Sequence, residues 1–403
     1  EIRLSLVGSE MCIRDSSTPT RAGLMTGRYP NRFGIRTTVI PPWREDGLDE
    51  NEETLADMLA RNGYSNRAII GKWHLGHTRK VHYPINRGFS HFYGHLNGAI
   101  DYFDHMREGE LDWHNDWETC YDKGYSTELI TQEAVRCINT YEKEGPFLLY
   151  VAYNAPHTPL QAQEKDIELY CDDFGSLTPK EQKRVTYQAM VSCMDRGIGT
   201  IVDALKKKGI MDNTFLIFFS DNGPAGVPGS SSGKLRGRKF DEWDGGVRVP
   251  AVFYWKRAES NYKNLSSQVT GFVDIVPTLK ELVGDKNRPE RAYDGISILP
   301  LLIGSTSCID RNFYLGCGAV VNKDYKLIRK GRKPGLNLPQ DFLVDYQTDP
   351  YEKKNASNGN EQIVRSLYQV ALKYDTITPC LPEIPYGKGR EGFKAPVEWK
   401  VTR

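Results

Sequence analysis

From Thr18 onward, short apolar runs alternate with amphipathic helical stretches, and that alternation admits few folds besides a mainly parallel sheet covered by helices. Leu55, Met58 and Leu59 share one helical face, Gly63 stands where a helix C-cap belongs, and 67–70 follows as a strand. Leu129, Ile130, Ala134, Cys137, Ile138 and Tyr141 repeat the pattern before the apolar run 147–152. Val185, Met190, Met194, Ile198, Ile201, Val202 and Leu205 mark a long helix leading to a strand at 214–219. The fold class is therefore α/β, a mixed, mainly parallel sheet sandwiched by helices. After about residue 284 the elements shorten to strands at 312–316, 324–329 and 341–345 and a helix at 362–373, which predicts a smaller C-terminal α+β subdomain. The segment from Pro379 is rich in Pro, Gly and Lys and is expected to run over the surface.

The 403 residues suffice for one large domain and a smaller one. Lys plus Arg total 53 against 52 Asp plus Glu, and a net charge of +1 leaves no electrostatic footprint for nucleic acid or an anionic membrane. The longest apolar runs, such as 147–152 and 215–219, fall far short of the ~20 residues of a membrane-spanning helix. Cysteines at 12, 120, 137, 171, 193, 308, 317 and 380 form neither a CxxC pair nor a metal-finger spacing. Residues 1–15 show neither helical nor strand periodicity, and LVGSEMCIRD within them resembles the translation of a transposase sequencing adapter. The expected organisation is a non-native leader over 1–15, a large domain over 16–285, and a subdomain over 286–403 with a small antiparallel sheet and a helix.

In open α/β sheets ligands collect at the carboxyl ends of strands, so polar residues that follow strand-like runs are the candidates for chemistry. Gly71-Lys72-Trp73-His74-Leu75-Gly76 follows 67–70, Asn154-Ala155-Pro156-His157 follows 147–152, and Ser220-Asp221-Asn222-Gly223 follows 214–219. In a further cluster, Ser17-Thr18-Pro19-Thr20-Arg21, proline suits a first helical turn whose backbone donors would face an anion. These edges offer hard oxygen ligands at Asp221 and Asn222, imidazoles at His74 and His157, and cations at Arg21 and Lys72, with Lys239 a further cation. A divalent cation held by carboxylate and amide oxygens can polarise a sulfuryl or phosphoryl oxygen, while Lys and Arg neutralise the others and His moves protons. Each cluster has a plainer reading: Asp-Asn-Gly is more often an Asx-capped turn, a His before Thr-Pro an ordinary loop residue, and a lysine solvated by default. Their coincidence at successive element edges points to an oxyanion substrate.

These residues resemble type I sulfatases of the alkaline phosphatase superfamily over about residues 17–355. Ser17-Thr18-Pro19-Thr20-Arg21 with Thr26-Gly27-Arg28 looks like the family signature Cys/Ser-x-Pro-x-Arg and its Thr-Gly-Arg element. The blocks at 71–76, 155–157, 220–223, 235–239 and 245–250, then 274–279, Asp294-Gly295 and Thr348-Asp349-Pro350, are similar to later family blocks in the family's order. The resemblance implies that a maturase converts Ser17 to formylglycine and that its hydrated aldehyde attacks sulfur; the resulting sulfated geminal diol expels sulfate by re-forming the aldehyde, an exit closed to a sulfated serine. It implies that Arg21 holds the diol and that His74 takes a proton during sulfate expulsion. Lys72, His157 and Lys239 would bind sulfate oxygens, with His157 or Lys239 assisting the leaving alcohol. Asp221 and Asn222 would bind a metal, expected to be Ca2+. A sulfated small molecule or glycan as substrate and a periplasmic or extracellular location are implied in the same way.

The sequence departs from the family pattern in two places. The family's opening strand ends in an Asp-Asp pair that completes the metal site, and the leader stands in its place, so the chain as written is expected to be N-terminally truncated, to bind calcium poorly and to be inactive. Serine rather than cysteine at position 17 implies a bacterial anaerobic-type maturation system. The alternatives are a phosphomonoesterase or phosphodiesterase of the same superfamily, using Ser17 or Thr18 unmodified, and a non-catalytic protein that binds sulfated glycans. Lys72, His74 and Lys239 beside a single readable metal site favour sulfate. Tyr102, Phe103, His105, Trp113, His114 and Trp117 form either a sugar-stacking rim or part of the core.

Overall fold

The computed structural model describes the backbone of residues 2–6 and all of 17–35, 39–256, 268–332 and 336–401. The chain forms two compact units, each discontinuous in sequence: Glu1–Val39 with Phe215–Gly226 and Ser231–Pro385, and Ile40–Thr214 with Val227–Ser230 and Tyr386–Arg403. The boundary expected near residue 285 falls inside the first unit.

The second unit carries a mixed five-stranded sheet in the order Glu118–Thr119, His114–Asn115, His91–His95, Asn66–Lys72, Phe147–Ala152. Asn66–Lys72 pairs parallel with both His91–His95 and Phe147–Ala152, while the short strands join antiparallel. Ala68, Ile69 and Ile70 are fully buried, as the strand at the centre of a parallel core should be. The helices Ser126–Thr140 and Pro179–Lys208 pack on one another. The longer one starts at a capping box between Thr178 and Glu181 with Pro179 in its first turn, and it stops at Gly209 after three lysines that suit the negative end of the helix dipole. Among the described residues no helix is long and apolar enough to cross a membrane.

The first unit contains a three-stranded antiparallel sheet, Ile2–Leu6, Val249–Tyr254, Leu216–Phe219, and a four-stranded antiparallel sheet, Phe313–Gly316, Ala319–Val321, Tyr325–Ile328, Phe342–Asp345. The helix Glu361–Asp375 packs on the latter sheet. Two elements differ from expectation. The part of the leader among the described residues forms a strand: Ile2, Leu4 and Leu6 alternate with Arg3 and Ser5, a period-two pattern too short to stand out against the irregular residues after it. Ala319–Val321 has only three residues after a Gly-Cys-Gly turn, below the length at which periodicity is readable. The closing segment from Pro379 is largely exposed, as expected, yet Trp399 is fully buried and its indole donates to the Arg107 carbonyl at 2.9 Å.

One buried carboxylate organises the sheet edge that leads to the candidate residues of the second unit. Asp112 accepts from the backbone N–H groups of Leu96 and Asn97 and from the Asn97 amide, each at 2.9 Å, and lies 3.0 Å from His114 Nε2. Burial alone pushes its pKa up, but the hydrogen bond and charge of His114, with His95 and the Leu96 amide, outweigh burial and hold it well below the usual carboxylate range. A depressed pKa stabilises the fold above the ordinary value of 3.8, and that contribution is lost as pH falls below it. Asp112→Asn is therefore expected to cost about 3 kcal/mol at pH 7, since charge-assisted bonds from several donors are lost together. Urea midpoints should show the gap to wild type narrowing toward pH 3, and equal midpoints at pH 7 would contradict this account.

Candidate functional site

Ser17, Arg21, Asp221, Asn222 and Lys239 belong to the first unit, and Lys72, His74 and His157 to the second. In the first unit, every residue of the helix Ser17–Thr26 is buried, including Thr18, Thr20 and Arg21, and so much polar surface is withdrawn from water only where it finds partners. Ser17 and Arg21 lie four residues apart and so share a helix face. Thr20 Oγ1 donates to the Asp221 carbonyl at 3.1 Å, and Arg21 Nη2 stands 3.7 Å from Asp221 Oδ2. The loop after Leu216–Phe219 is thus joined to the opening of this helix through backbone and side chain alike.

The same loop is fixed from its other side. Gly223 N donates to the Gly246 carbonyl at 3.0 Å, and a Cβ at Gly223 would stand 2.1 Å from the Gly245 oxygen, so only glycine allows this approach. Ser220 Oγ donates to the Asn222 carbonyl, and Asn222 Nδ2 to the Gly223 carbonyl at 3.0 Å. With the donor end of that amide used locally, its oxygen is the end suited to a cation. Asp221 and Asn222 therefore fit a hard cation in kind, supplying two of the about six to eight oxygens that calcium takes. Lys239 is buried and joins the loop through its backbone N–H, which donates to the Pro224 carbonyl at 2.8 Å.

In the second unit, Lys72 closes the strand Asn66–Lys72 and is only 2% exposed. The chain then continues along His91–His95, with Trp73 N donating to His95 O and His74 N to Leu96 O, each at 3.0 Å. His74 has a φ of 60°, a left-handed conformation that costs a non-glycine residue energy and recurs at functional sites. Its Nε2 lies 3.2 Å from the Ile40 carbonyl, which makes Nε2 the protonated nitrogen and Nδ1 the acceptor in the neutral ring. Gly98 makes room for this imidazole, because a Cβ there would come within 2.4 Å of it. Behind the loop, Trp73 Nε1 donates to the His82 carbonyl, and burial, with Arg79 and Arg87, pulls the His82 pKa down to about 4, so no positive charge sits there at neutral pH.

His157 is half-buried, its N–H donating to the Asn154 carbonyl and its own carbonyl accepting from Tyr102 Oη, each at 2.9 Å. Its Nδ1 lies 2.7 Å from the Thr158 carbonyl, which leaves Nε2 as the acceptor nitrogen of the neutral ring. Two residues of the clusters quoted from the sequence gain a role that was not assigned to them there. Thr20 pins the Asp221 loop. Asn154 is 4% exposed, with both amide atoms buried and without a hydrogen-bond partner among the described residues, the signature of a polar group that meets a ligand or water. Its sequence signal was an amide two residues after the end of an apolar strand. Of the aromatic stretch, Tyr102, His105, Trp113 and His114 are buried, whereas Phe103 and Trp117 are 43% and 42% exposed, so most of it is core.

The sulfatase family model matches residues 10–285. The chain belongs to the sulfatase family. The chain is 34% identical to arylsulfatase J of Mus musculus over 291 residues, covering 70% of the chain and 47% of the relative. It is 31% identical to N-acetylgalactosamine-6-sulfatase of the same organism over 310 residues, covering 71% of the chain and 57% of the relative. The chain spans about half the length of these curated relatives. Its fold matches the solved structure of Ps i-CgsB in complex with k-i-k-neocarrahexaose with a TM-score of 0.81 at 28% identity, covering 95% of this chain and 87% of that one.

Proposed function

We propose that this sulfatase hydrolyses sulfuric esters of a glycan, with Ser17 matured to formylglycine and calcium held by Asp221 and Asn222. The observation that carries the proposal is the contact of Arg21 with Asp221 at the opening of the buried helix that begins with Ser17. A hydrated formylglycine at position 17 would supply a nucleophile that serine does not, and Asp221 and Asn222 would hold a calcium able to polarise a sulfate oxygen. Arg21, one helical turn after Ser17, sets a permanent cation beside the position-17 side chain. Lys72 and Lys239 neutralise sulfate oxygens. His157, with Nδ1–H turned to Thr158, would protonate the departing alkoxide from Nε2 when the ring is the imidazolium, and is left neutral with Nε2 as the acceptor. His74, with Nε2–H on Ile40, has Nδ1 as its acceptor nitrogen and would serve as the base in sulfate expulsion.

The glycan class is supported by N-acetylgalactosamine-6-sulfatase among the relatives and by the oligosaccharide bound to Ps i-CgsB. A periplasmic or extracellular location and a formylglycine-generating maturase belong to the same proposal. The test is expression of the complete gene with a bacterial anaerobic-type maturase. Mass spectrometry should find the Ser17 peptide lighter by two hydrogens, and the protein should hydrolyse an aryl sulfate in a calcium-dependent manner that EGTA abolishes. An unmodified Ser17 accompanied by phosphatase turnover would replace this function with the phosphoesterase alternative, and calcium binding without any ester hydrolysis would leave a glycan-binding protein.

A further inference from the structure

Away from the candidate residues, His91, Glu133 and Cys137 bring one ligand atom each to within 4.8 Å of the others. His91 opens the strand His91–His95, at the sheet edge opposite the one where Lys72 pairs with His95. Glu133 and Cys137 lie four residues apart on the helix Ser126–Thr140 and so project from one face of it. His91 Nδ1 is 2.9 Å from Asp116 Oδ1, and its Nε2 is 2.6 Å from Glu133 Oε1. Cys137 Sγ lies 3.9 Å from the same Glu133 oxygen. One ring nitrogen is thus held by a carboxylate from behind while the other faces a carboxylate and a sulfur, the arrangement that orients an imidazole for a metal.

A cationic group already competes for this place. Arg136 Nη2 is 2.5 Å from Glu133 Oε1, 3.5 Å from His91 Nε2 and 3.9 Å from Cys137 Sγ, so it meets all three ligand atoms. Its side chain is 54% exposed, whereas those of His91 and Glu133 are 16% and 12% exposed and Cys137 is buried. The guanidinium can therefore turn out into water while the ligands stay in place.

We propose that His91 Nε2, the Glu133 carboxylate and the Cys137 thiolate form a binding site for a borderline-soft divalent cation of the zinc class, oriented by Asp116 and gated by Arg136. A sulfur and an imidazole select such a cation over calcium, which takes oxygen ligands. Tetrahedral zinc sets its ligand atoms about 3.3–3.8 Å apart, so the 2.6 Å contact between His91 and Glu133 must open by less than about 1 Å and the 3.9 Å contact hardly changes. Binding expels the Cys137 thiol proton and any proton on Nε2 to solvent, and water completes the coordination. The ion would fasten the helix Ser126–Thr140 to the first residue of a central strand.

Cobalt(II) is the probe, added to the chelator-treated full chain. One equivalent should produce a thiolate-to-cobalt charge-transfer band in the near ultraviolet, and zinc should bleach it. Cys137→Ser should lose the band, Asp116→Asn should weaken binding about tenfold to a hundredfold, and Arg136→Ala should tighten it by removing the competitor. Absence of the band, its survival in Cys137→Ser, or weaker binding by Arg136→Ala overturns the proposal. Should Cys137→Ser fail to fold, the exposed Arg136→Ala decides by the direction of its change alone.

Discussion

Ser17→Ala is expected to lower kcat/KM toward an aryl sulfate by roughly ten-thousandfold or more, with the fold retained, because it removes the Oγ without which the proposed oxidation to formylglycine cannot occur. Alanine is smaller than serine and favours helix, so the buried helix Ser17–Thr26 keeps its packing and the loss is chemical. Ser17→Cys is the informative companion: the family signature accepts either residue, and a cysteine-type maturase should restore both the aldehyde and turnover. Arg21→Ala should lose about a hundredfold to a thousandfold, the scale of a lost charge-stabilising donor, and should also leave Asp221 without the guanidinium 3.7 Å away. Single-turnover rates measured on the matured complete protein separate these effects from binding. Full activity in Ser17→Ala would remove residue 17 from the mechanism, whatever the family.

What the sequence made legible follows from the reach of each signal. Periodicity acts over a few residues, and it located the strand Phe147–Ala152 to the residue and placed the helices Leu55–Arg61, Ser126–Thr140 and Pro179–Lys208. It carries no information on which strands pair, so it did not foresee that Leu216–Phe219 lies in an antiparallel sheet with Val249–Tyr254 rather than in a parallel one. The candidate residues were nominated mostly because they follow an apolar strand or lie in the opening turns of a helix. The contacts that orient them were not readable, because the bond from Thr20 to Asp221 spans 201 positions. Asp112 and Lys326 were not singled out in the sequence, yet both are fully buried. A buried charge is concealed in sequence because its partners come from elsewhere in the chain.

Lys326→Met is accordingly expected to be among the most damaging single changes to stability, although no chemistry is assigned to Lys326. Its Nζ contacts the Asp244 carboxylate, lies 2.6 Å from Glu352 Oε1 and donates to the Glu242 carbonyl at 3.0 Å. Glu352 Oε2 accepts from the Asp244 N–H at 2.7 Å, and Tyr346 Oη donates to Asp244 Oδ1 at 2.9 Å. Burial alone pulls the lysine pKa down, but the two carboxylates outweigh it and raise it; burial pushes the Glu352 pKa up, which Lys326 only partly offsets. Methionine fills the space, leaves Glu352 without the Lys326 cation and leaves Asp244 with Arg248, 3.7 Å away, a loss of about 3–5 kcal/mol. In the variant Glu352, already raised by burial, prefers a proton still more, so a folded-state pKa above the unfolded one makes the deficit largest at high pH and smaller as pH falls. Adding Glu352→Gln should recover part of it, since one stranded charge is then gone. Chemical denaturation at pH 5 and pH 8 tests this, and a deficit independent of pH would show that packing, not charge, was lost. The consequence reaches the candidate site, because Asp244 opens the short helix Asp244–Val247 that supplies the Gly246 carbonyl holding Gly223. A variant that loosens this helix should lose its grip on Asp221 and Asn222 before the rest of the unit unfolds.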